Sequence, residues 1–377
     1  MSSKTKLYEL IIRDLLNDIE SGRLQEGDKI PTDAELCVKY KVSRITVTRA
    51  LKELEYRGLL IRIKKKGSFI KKPSNHSTEE NEPGGIPAIA IVLPFGEDYG
   101  FDILQGAESV CARAGYYVTF HNSKYDGRRE REILDRVFED RLQGAIVYPC
   151  DGYRNIEIYS KLMIHKFPFA FIDRTVGGLD VPYVVSDNVR AGYDITAHLL
   201  ELGHRKIAFV CTELNEAISV SERYKGYCSA LISHGIAPKP EWLIEDHVSR
   251  EQINHDDPEV RLAINQGRLA RILSLDNQPT AIVAVNDETA IQLMKAAKLV
   301  GVEVPVKLSI AGFDNLQAGA VLDIPLTTMQ QNFYEMGASA AQLVLSMISE
   351  KDNENVDVPK RVQDTKLIVR QSTSALQ

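Results

Sequence analysis

The chain has 377 residues, 44% of them hydrophobic and 26% charged, with a formal net charge of -6. That length suits two or three domains with real cores, and no apolar run approaches the roughly 18 residues that cross a bilayer. The N-terminal stretch MSSKTKLYELIIRDLL has charges through its apolar part and no small-residue cleavage site, so a cytoplasmic protein without a membrane partner is expected. Five scattered cysteines, never in CxxC spacing, read as buried free thiols rather than a zinc site or a disulfide framework.

The net charge conceals an asymmetry. Residues 1–72 hold 17 Lys and Arg against 10 Asp and Glu, whereas the remainder holds 29 against 42. A basic head on an acidic body points to a polyanionic partner for the head alone.

Within the head, Leu7, Ile11, Leu15 and Ile19 recur every four residues and predict a helix over 4–21, ended by Gly22. Thr32 is placed to cap a second, short helix, with Glu35 three residues on completing a capping box. A third helix follows in VSRITVTRALKELEYRGLL (42–60), closed by Gly58. Its first turns carry Ser43, Arg44, Thr46, Thr48 and Arg49, while its carboxylates wait until Glu53 and Glu55. LLIRIKKKGSFIKK then reads as strand, basic turn at Gly67, and strand. Three helices and a two-stranded ribbon make a winged helix-turn-helix. The second helix of such a motif lies in the DNA major groove, its N-terminus suited to anions and its arginines to guanine. The head is therefore expected to bind double-stranded DNA.

GDKIPTDAEL, VSRITVTRAL and KKKGSFI together resemble the N-terminal domain of GntR-type regulators. The resemblance implies that Ser43, Arg44, Thr46 and Arg49 contact operator DNA, with the wing around Gly67 in the minor groove. Thr32, Thr48 and Lys65 complete the candidate DNA surface. Thr48 stands where many relatives have arginine, and Ala34 where some carry a base-contacting arginine, so no base preference transfers.

KKPSNHSTEENEPGGIP (71–87) reads as a flexible linker between a head at 1–72 and a body at 88–377. The body alternates β-rich runs with amphipathic helices. Strands are predicted at 88–94, 116–121, 144–149, 167–173 and 183–187. A second series has strands at 206–210, 281–286 and 308–314. Helices are predicted near 102–114, 128–141, 188–202, 220–234 and 288–300. This alternation implies an α/β body with parallel sheets in two lobes, separated near residue 187, and a ligand cleft beyond the strand ends. Asp173–Arg174, Asp187–Asn188, Asn286–Asp287 and Asp314–Asn315 fall at those ends. Each alone could cap a helix or shape a turn. As a set they suit the vicinal hydroxyls of a sugar, and Tyr99, Phe101 and Phe333 are candidate platforms for a ring face.

HLLELGHRKIAFV (198–210), SERYKGY (221–227), AVNDETA (284–290), LSIAGFDN (308–315) and LTTMQQNF (326–333) resemble the effector domain of LacI/GalR regulators and their periplasmic sugar-binding relatives. The resemblance implies a periplasmic-binding-protein-like body whose Asp173, Arg223, Asn286 and Asp314 line a sugar pocket. Phe333 would lie beside them, and FGEDYGF (95–101) would close the pocket. It further implies a homodimer joined by its bodies and a small-molecule sugar effector, and the pairing of a GntR-type head with such a body makes L-arabinose the leading candidate. A repressor released by sugar is expected, an activator or corepressor-dependent regulator being the alternative. No P-loop, GxSxG, HExxH or pyridoxal-lysine context appears, and His198 and His204 read as structural, so neither an enzyme nor a cofactor or metal site is expected.

Overall fold

The computed structural model describes residues 7–21, 23–25, 27–56, 59–63, 67–70, 87–94, 99–150, 153–212, 214, 217–245, 258–349 and 359–376. The linker expected at 71–87 (save residue 87), the loop 95–98 and Lys65 lie outside them. The chain divides into two compact units, Met1–Glu82 and Pro83–Gln377.

The head holds α1 (Leu7–Glu20), α2 (Asp33–Tyr40), α3 (Arg44–Tyr56) and an antiparallel ribbon of β1 (Leu60–Ile63) and β2 (Gly67–Ile70). Ile11, Leu15, Leu36, Val47, Leu51, Leu54 and Ile70 close one core beneath all five elements. The capping box forms: Thr32 Oγ1 accepts from Glu35 N, and the Glu35 carboxylate accepts from Thr32 N at 2.7 Å. Lys41 ends α2 in the left-handed region (φ 51°), which turns the chain into α3.

In the body, the first lobe begins with β3 (Ala88–Leu93), α4 (Tyr99–Arg113), β4 (Tyr117–Asn122), α5 (Gly127–Glu139) and β5 (Gly144–Val147). It continues with α6 (Ile156–Ile164), β6 (Phe169–Ile172) and β7 (Tyr183–Ser186). The second lobe runs through α7 (Asn188–Glu201), β8 (Ile207–Val210), α8 (Ile218–Ser233), β9 (Leu243–Ile244), α9 (Pro258–Leu273) and β10 (Ala281–Ala284). Then come α10 (Asp287–Leu299), β11 (Ser309–Asp314), α11 (Gln317–Ala320) and β12 (Thr327–Gln330). The chain next returns to the first lobe with α12 (Phe333–Ser349) and β13 (Lys360–Gln363), and ends in the second with β14 (Lys366–Ile368).

Each lobe is a six-stranded sheet between helices, ordered β13-β7-β6-β5-β3-β4 and β14-β12-β11-β10-β8-β9. All pairings are parallel except β14 on β12. The buried strands read as apolar runs because both faces are covered. The expected α/β fold with two parallel sheets is present, but the lobes are not two consecutive halves. The chain passes between them after Ser186, around Gln331–Asn332 and around Asp364–Thr365. Local periodicity carries no information on which sheet a late strand joins.

One helix pair in each lobe packs backbone to backbone. A Cβ at Gly106 would overlap the Tyr334 carbonyl, and one at Gly337 the Ile103 carbonyl, which brings α4 against α12. In the second lobe, Gly192 would likewise overlap the Arg223 carbonyl and Gly226 that of Val189, joining α7 to α8. Glycine in a helix costs roughly 0.5–1 kcal/mol relative to alanine; here the close approach requires it.

Candidate functional site

On the head, α3 turns Val47, Ala50, Leu51 and Leu54 inward and leaves Ser43, Arg44 and Arg49 exposed, with Thr46 and Thr48 half-buried. Ser43 Oγ lies 3.0 Å from Thr46 Oγ1, and Ser43 caps the helix start through Thr46 N. The Arg49 guanidinium stacks 4.4 Å from the Tyr8 ring centroid, which orders it before any ligand arrives. Thr32, placed among the DNA candidates from sequence, has its hydroxyl engaged with Glu35, and these bonds draw the Glu35 carboxyl below its usual range. Gly67 opens β2 at φ +117°, and the stem of Lys29 occupies the space a side chain would need. An exposed helix N-terminus with hydroxyls and arginines can address phosphates and base edges together.

In the body, the candidate residues gather at the strand ends around Arg223. Arg223 is buried: its Nε donates to Asn188 Oδ1 at 2.9 Å and its Nη1 to the Val285 carbonyl at 2.6 Å. Nη2 lies 4.0 Å from Asp314 Oδ1, and the guanidinium packs 4.6 Å from the Phe313 ring centroid. Asp314 Oδ1 also accepts from Gln331 Nε2 at 2.6 Å, and Gln331 Oε1 accepts from Ser186 Oγ at 2.6 Å. A hydrogen-bonded chain thus runs from β7 of the first lobe, through the crossover at Gln331, to Asp314 of the second. Asp173, after β6 at φ 65°, acts on Asp314 through its charge.

The remaining candidates have local roles of their own. Asn286 caps α10, its Oδ1 accepting from Thr289 N, and Asp187 caps α7 through Arg190 N. Arg174 stacks 5.0 Å from the Tyr148 ring centroid. Phe101 is exposed on α4. Tyr99 opens α4, and its side chain lies outside the described part. Phe333, expected as a platform, is 4% exposed and packed into the first-lobe core with Ile103 and Met336. His198 and His204 are structural, bonding Thr373 and, for His204, Thr280 and Ser309.

Sequence reasoning missed Gln331, and it placed Asn188 and Asp287 among the strand-end residues without their roles as partner of Arg223 and buried acid beneath Asp314. Gln331 lies within LTTMQQNF, but nothing local distinguishes it from Gln330, which is exposed. Asp287 accepts from Thr328 Oγ1 at 2.6 Å and Leu316 N at 2.8 Å. Gly312 makes room for it, since a Cβ there would overlap the carboxylate. Glu130, buried on α5, holds the loop after β5 by accepting from Cys150 N at 2.7 Å, Asn155 Nδ2 at 2.8 Å and the Tyr159 hydroxyl.

Burial pushes Asp314 up to about 7; Arg223 opposes the rise, and Asp173 and Glu288 add to it. Burial and the neighbouring Asp314 push Asp287 up to about 8. Unfolding returns both to the ordinary carboxylate range, so from about pH 4 to 8 the folded state holds the extra protons and loses stability as pH rises. His198 and His204 are lowered by burial and pull the other way. The readout is therefore a difference: from pH 5 to 8 the wild-type melting midpoint should fall relative to that of Asp314→Asn. A constant gap between the two would refute the raised Asp314.

A winged head and a two-lobed body with a polar cluster at its strand ends, in one chain, are the parts of a one-component transcription regulator. Residues 7–70 match the model for bacterial regulatory proteins of the gntR family, and residues 196–373 that for the periplasmic binding protein-like domain. The chain is 30% identical over 375 residues to an arabinose metabolism transcriptional repressor of Geobacillus stearothermophilus, covering 98% of each chain. The protein belongs to this family of bacterial transcriptional repressors, a gntR-type head on a periplasmic-binding-protein-like body. The fold is shared with the regulator CcpA of Lactococcus lactis (22% identity, 77% of this chain and 100% of that one, TM-score 0.66). It is shared too with a LacI family regulator of Enterococcus faecium solved with bound ribose (24% identity, 77% and 100%, TM-score 0.61). These relatives are regulators, not enzymes. Among the described residues no helix is long and apolar enough to cross a membrane.

Proposed function

We propose that the protein is a cytoplasmic repressor that binds operator DNA as a dimer and is released when a monosaccharide, L-arabinose first, closes the cleft between its lobes. The observation that carries this reading is the Arg223–Asp314–Gln331–Ser186 chain, which sets a forked donor and a carboxylate at the strand ends and spans both lobes. A guanidinium and carboxylates are suited to the adjacent hydroxyls of a sugar. The arabinose metabolism of the full-length relative supports that sugar, and a neighbour of the same fold solved with bound ribose supports a monosaccharide as ligand. Asp173, Arg174 and Asn286 border the site in this reading. Closure around the ligand changes the geometry of the body, and through it the spacing of two heads on a two-fold operator.

Thermal unfolding of the full chain with L-arabinose, D-ribose, D-xylose, D-galactose and cellobiose tests the effector: a sugar bound only by the folded state raises the midpoint by mass action. Operator affinity with and without the stabilising sugar then tests release, since sugar and operator must weaken each other by one factor. No shift with any sugar, or tighter operator binding in its presence, defeats the reading. Sedimentation equilibrium should give a dimer.

On the DNA side, Arg44→Ala is expected to cost about 1–3 kcal/mol of specific operator binding, while binding to unrelated duplex falls less. Fluorescence anisotropy on both duplexes measures the two. Undiminished operator affinity would remove Arg44 from the recognition surface.

A further inference from the structure

Asp314 and Asn315 are consecutive non-glycine residues in the left-handed region, at φ 108° and 59°. Left-handed backbone at such residues costs of order 1–3 kcal/mol each and persists only where the surroundings over-determine it. Here the surroundings are specific. Asn315 N donates to Thr328 Oγ1 at 3.3 Å, and Leu316 N donates to the buried Asp287 carboxylate. Asn315 Oδ1 accepts from Arg370 Nη2 at 2.6 Å. The other arm of that guanidinium donates to the Leu326 carbonyl at 2.7 Å, and Arg370 N donates to Thr327 Oγ1 at 3.0 Å. Arg370 is thus tied to the strand beside β11 through both its backbone and its fork, and its fork reaches across to the turn. Its charge also favours the ionised form of Asp287 against burial.

We infer that Arg370, on the segment after β14, is a positioning residue for effector binding: its fork holds Asn315, and so the strained turn that aims the Asp314 carboxylate at the cleft. This inference rests on the proposal that Asp314 contacts a sugar. Arg370 follows the last passage of the chain between lobes by only a few residues, so the same segment joins the interlobe connection to the turn. Lysine offers one compact charge where the fork serves two acceptors in different directions.

The test is a double-mutant cycle in the full-length protein, titrated with L-arabinose by calorimetry, with crystal structures of the single variants. Arg370→Met should weaken L-arabinose binding by about tenfold, as expected for losing one hydrogen bond to a charged donor, with operator binding unchanged. Arg370→Lys should fall between it and wild type, and it serves if the Met variant does not fold. In Asn315→Gly, which adopts positive φ freely and has no side chain to hold, adding Arg370→Met should cost nothing further. Wild-type affinity in Arg370→Met and Arg370→Lys, or full additivity with Asn315→Gly, overturns the assignment. Should the wild type take no L-arabinose, the choice of that sugar fails separately, and the crystal structures decide. Asp314 returning to negative φ without the Arg370 fork upholds the positioning role, and an unchanged turn overturns it.

Discussion

Arg223→Ala is expected to abolish both the sugar-induced rise in melting midpoint and sugar-induced release from the operator, giving a repressor that no longer responds. The guanidinium bonds Asn188 and the Val285 carbonyl, faces Phe313 and lies against Asp314, all in a buried setting. Removing it deprives Asp314 of the cation that opposes its neutralisation and leaves two buried acceptors unmet. Breaking a buried charge pair from one side costs about 3–5 kcal/mol, so the body should also melt at lower temperature. The head has its own core, of Ile11, Leu36, Val47 and Leu54, and its operator contacts should survive. Calorimetric unfolding, sugar titration and operator binding on one preparation separate these effects. A variant that still binds sugar with wild-type affinity would remove Arg223 from the site. One that is folded and dimeric yet has lost its operator would reverse the expected sign of regulation.

The second large effect lies at the crossing of α7 and α8. Gly192→Ala should destabilise the body by about 2 kcal/mol or more, because the added methyl must overlap the Arg223 carbonyl and overpacking of this kind costs about 1–3 kcal/mol, occasionally more. The strain falls on the turn of α8 that carries the Arg223 side chain, so sugar affinity should drop with stability. Gly267→Ala is the control. Gly267 sits in α9, where an added methyl would meet nothing within 4 Å, so the same change there should stabilise by about 0.5–1 kcal/mol through helix propensity. Urea unfolding of the two variants should give shifts of opposite sign. Equal signs would mean that the α7–α8 contact is looser than its geometry implies.

The cluster around Arg223 shows what can be read without the fold. Asp173, Arg223 and Asp314 are found together, and all three stand out in the sequence at strand ends or in short motifs. Asn286 and Asp187 stand in the same pattern, yet their side-chain oxygens cap helices. A strand-to-helix junction asks for Asp or Asn at the cap for reasons of backbone geometry alone, so composition cannot separate the two roles. Phe333 misleads for a related reason. An aromatic after a strand end serves a pocket or a core equally well, and only the packing of α12 on α4 puts it inside.

Local physics is enough for much else. Four-residue spacing marks α1, Thr32 and Glu35 mark the start of α2, and the hydroxyls and arginines without carboxylates mark the exposed end of α3. Alternating strands and helices mark two parallel sheets. These signals act over a few residues, where hydrogen-bond geometry and solvent exposure are settled by near neighbours. The tertiary structure alone decided that α12 and β13 return to the first lobe and that β14 crosses back. It alone decided that Gln331 joins Ser186 to Asp314, and that Arg370 reaches Asn315 from 55 residues away. α12 is largely apolar because it packs between α4 and the sheet, and only a narrow polar strip with Glu335 and Gln342 remains exposed. β13 and β14 are four and three residues long, too short for a period of two to stand out. Pairings across such distances depend on which surfaces meet once the sheets have formed, and no window of sequence contains both partners.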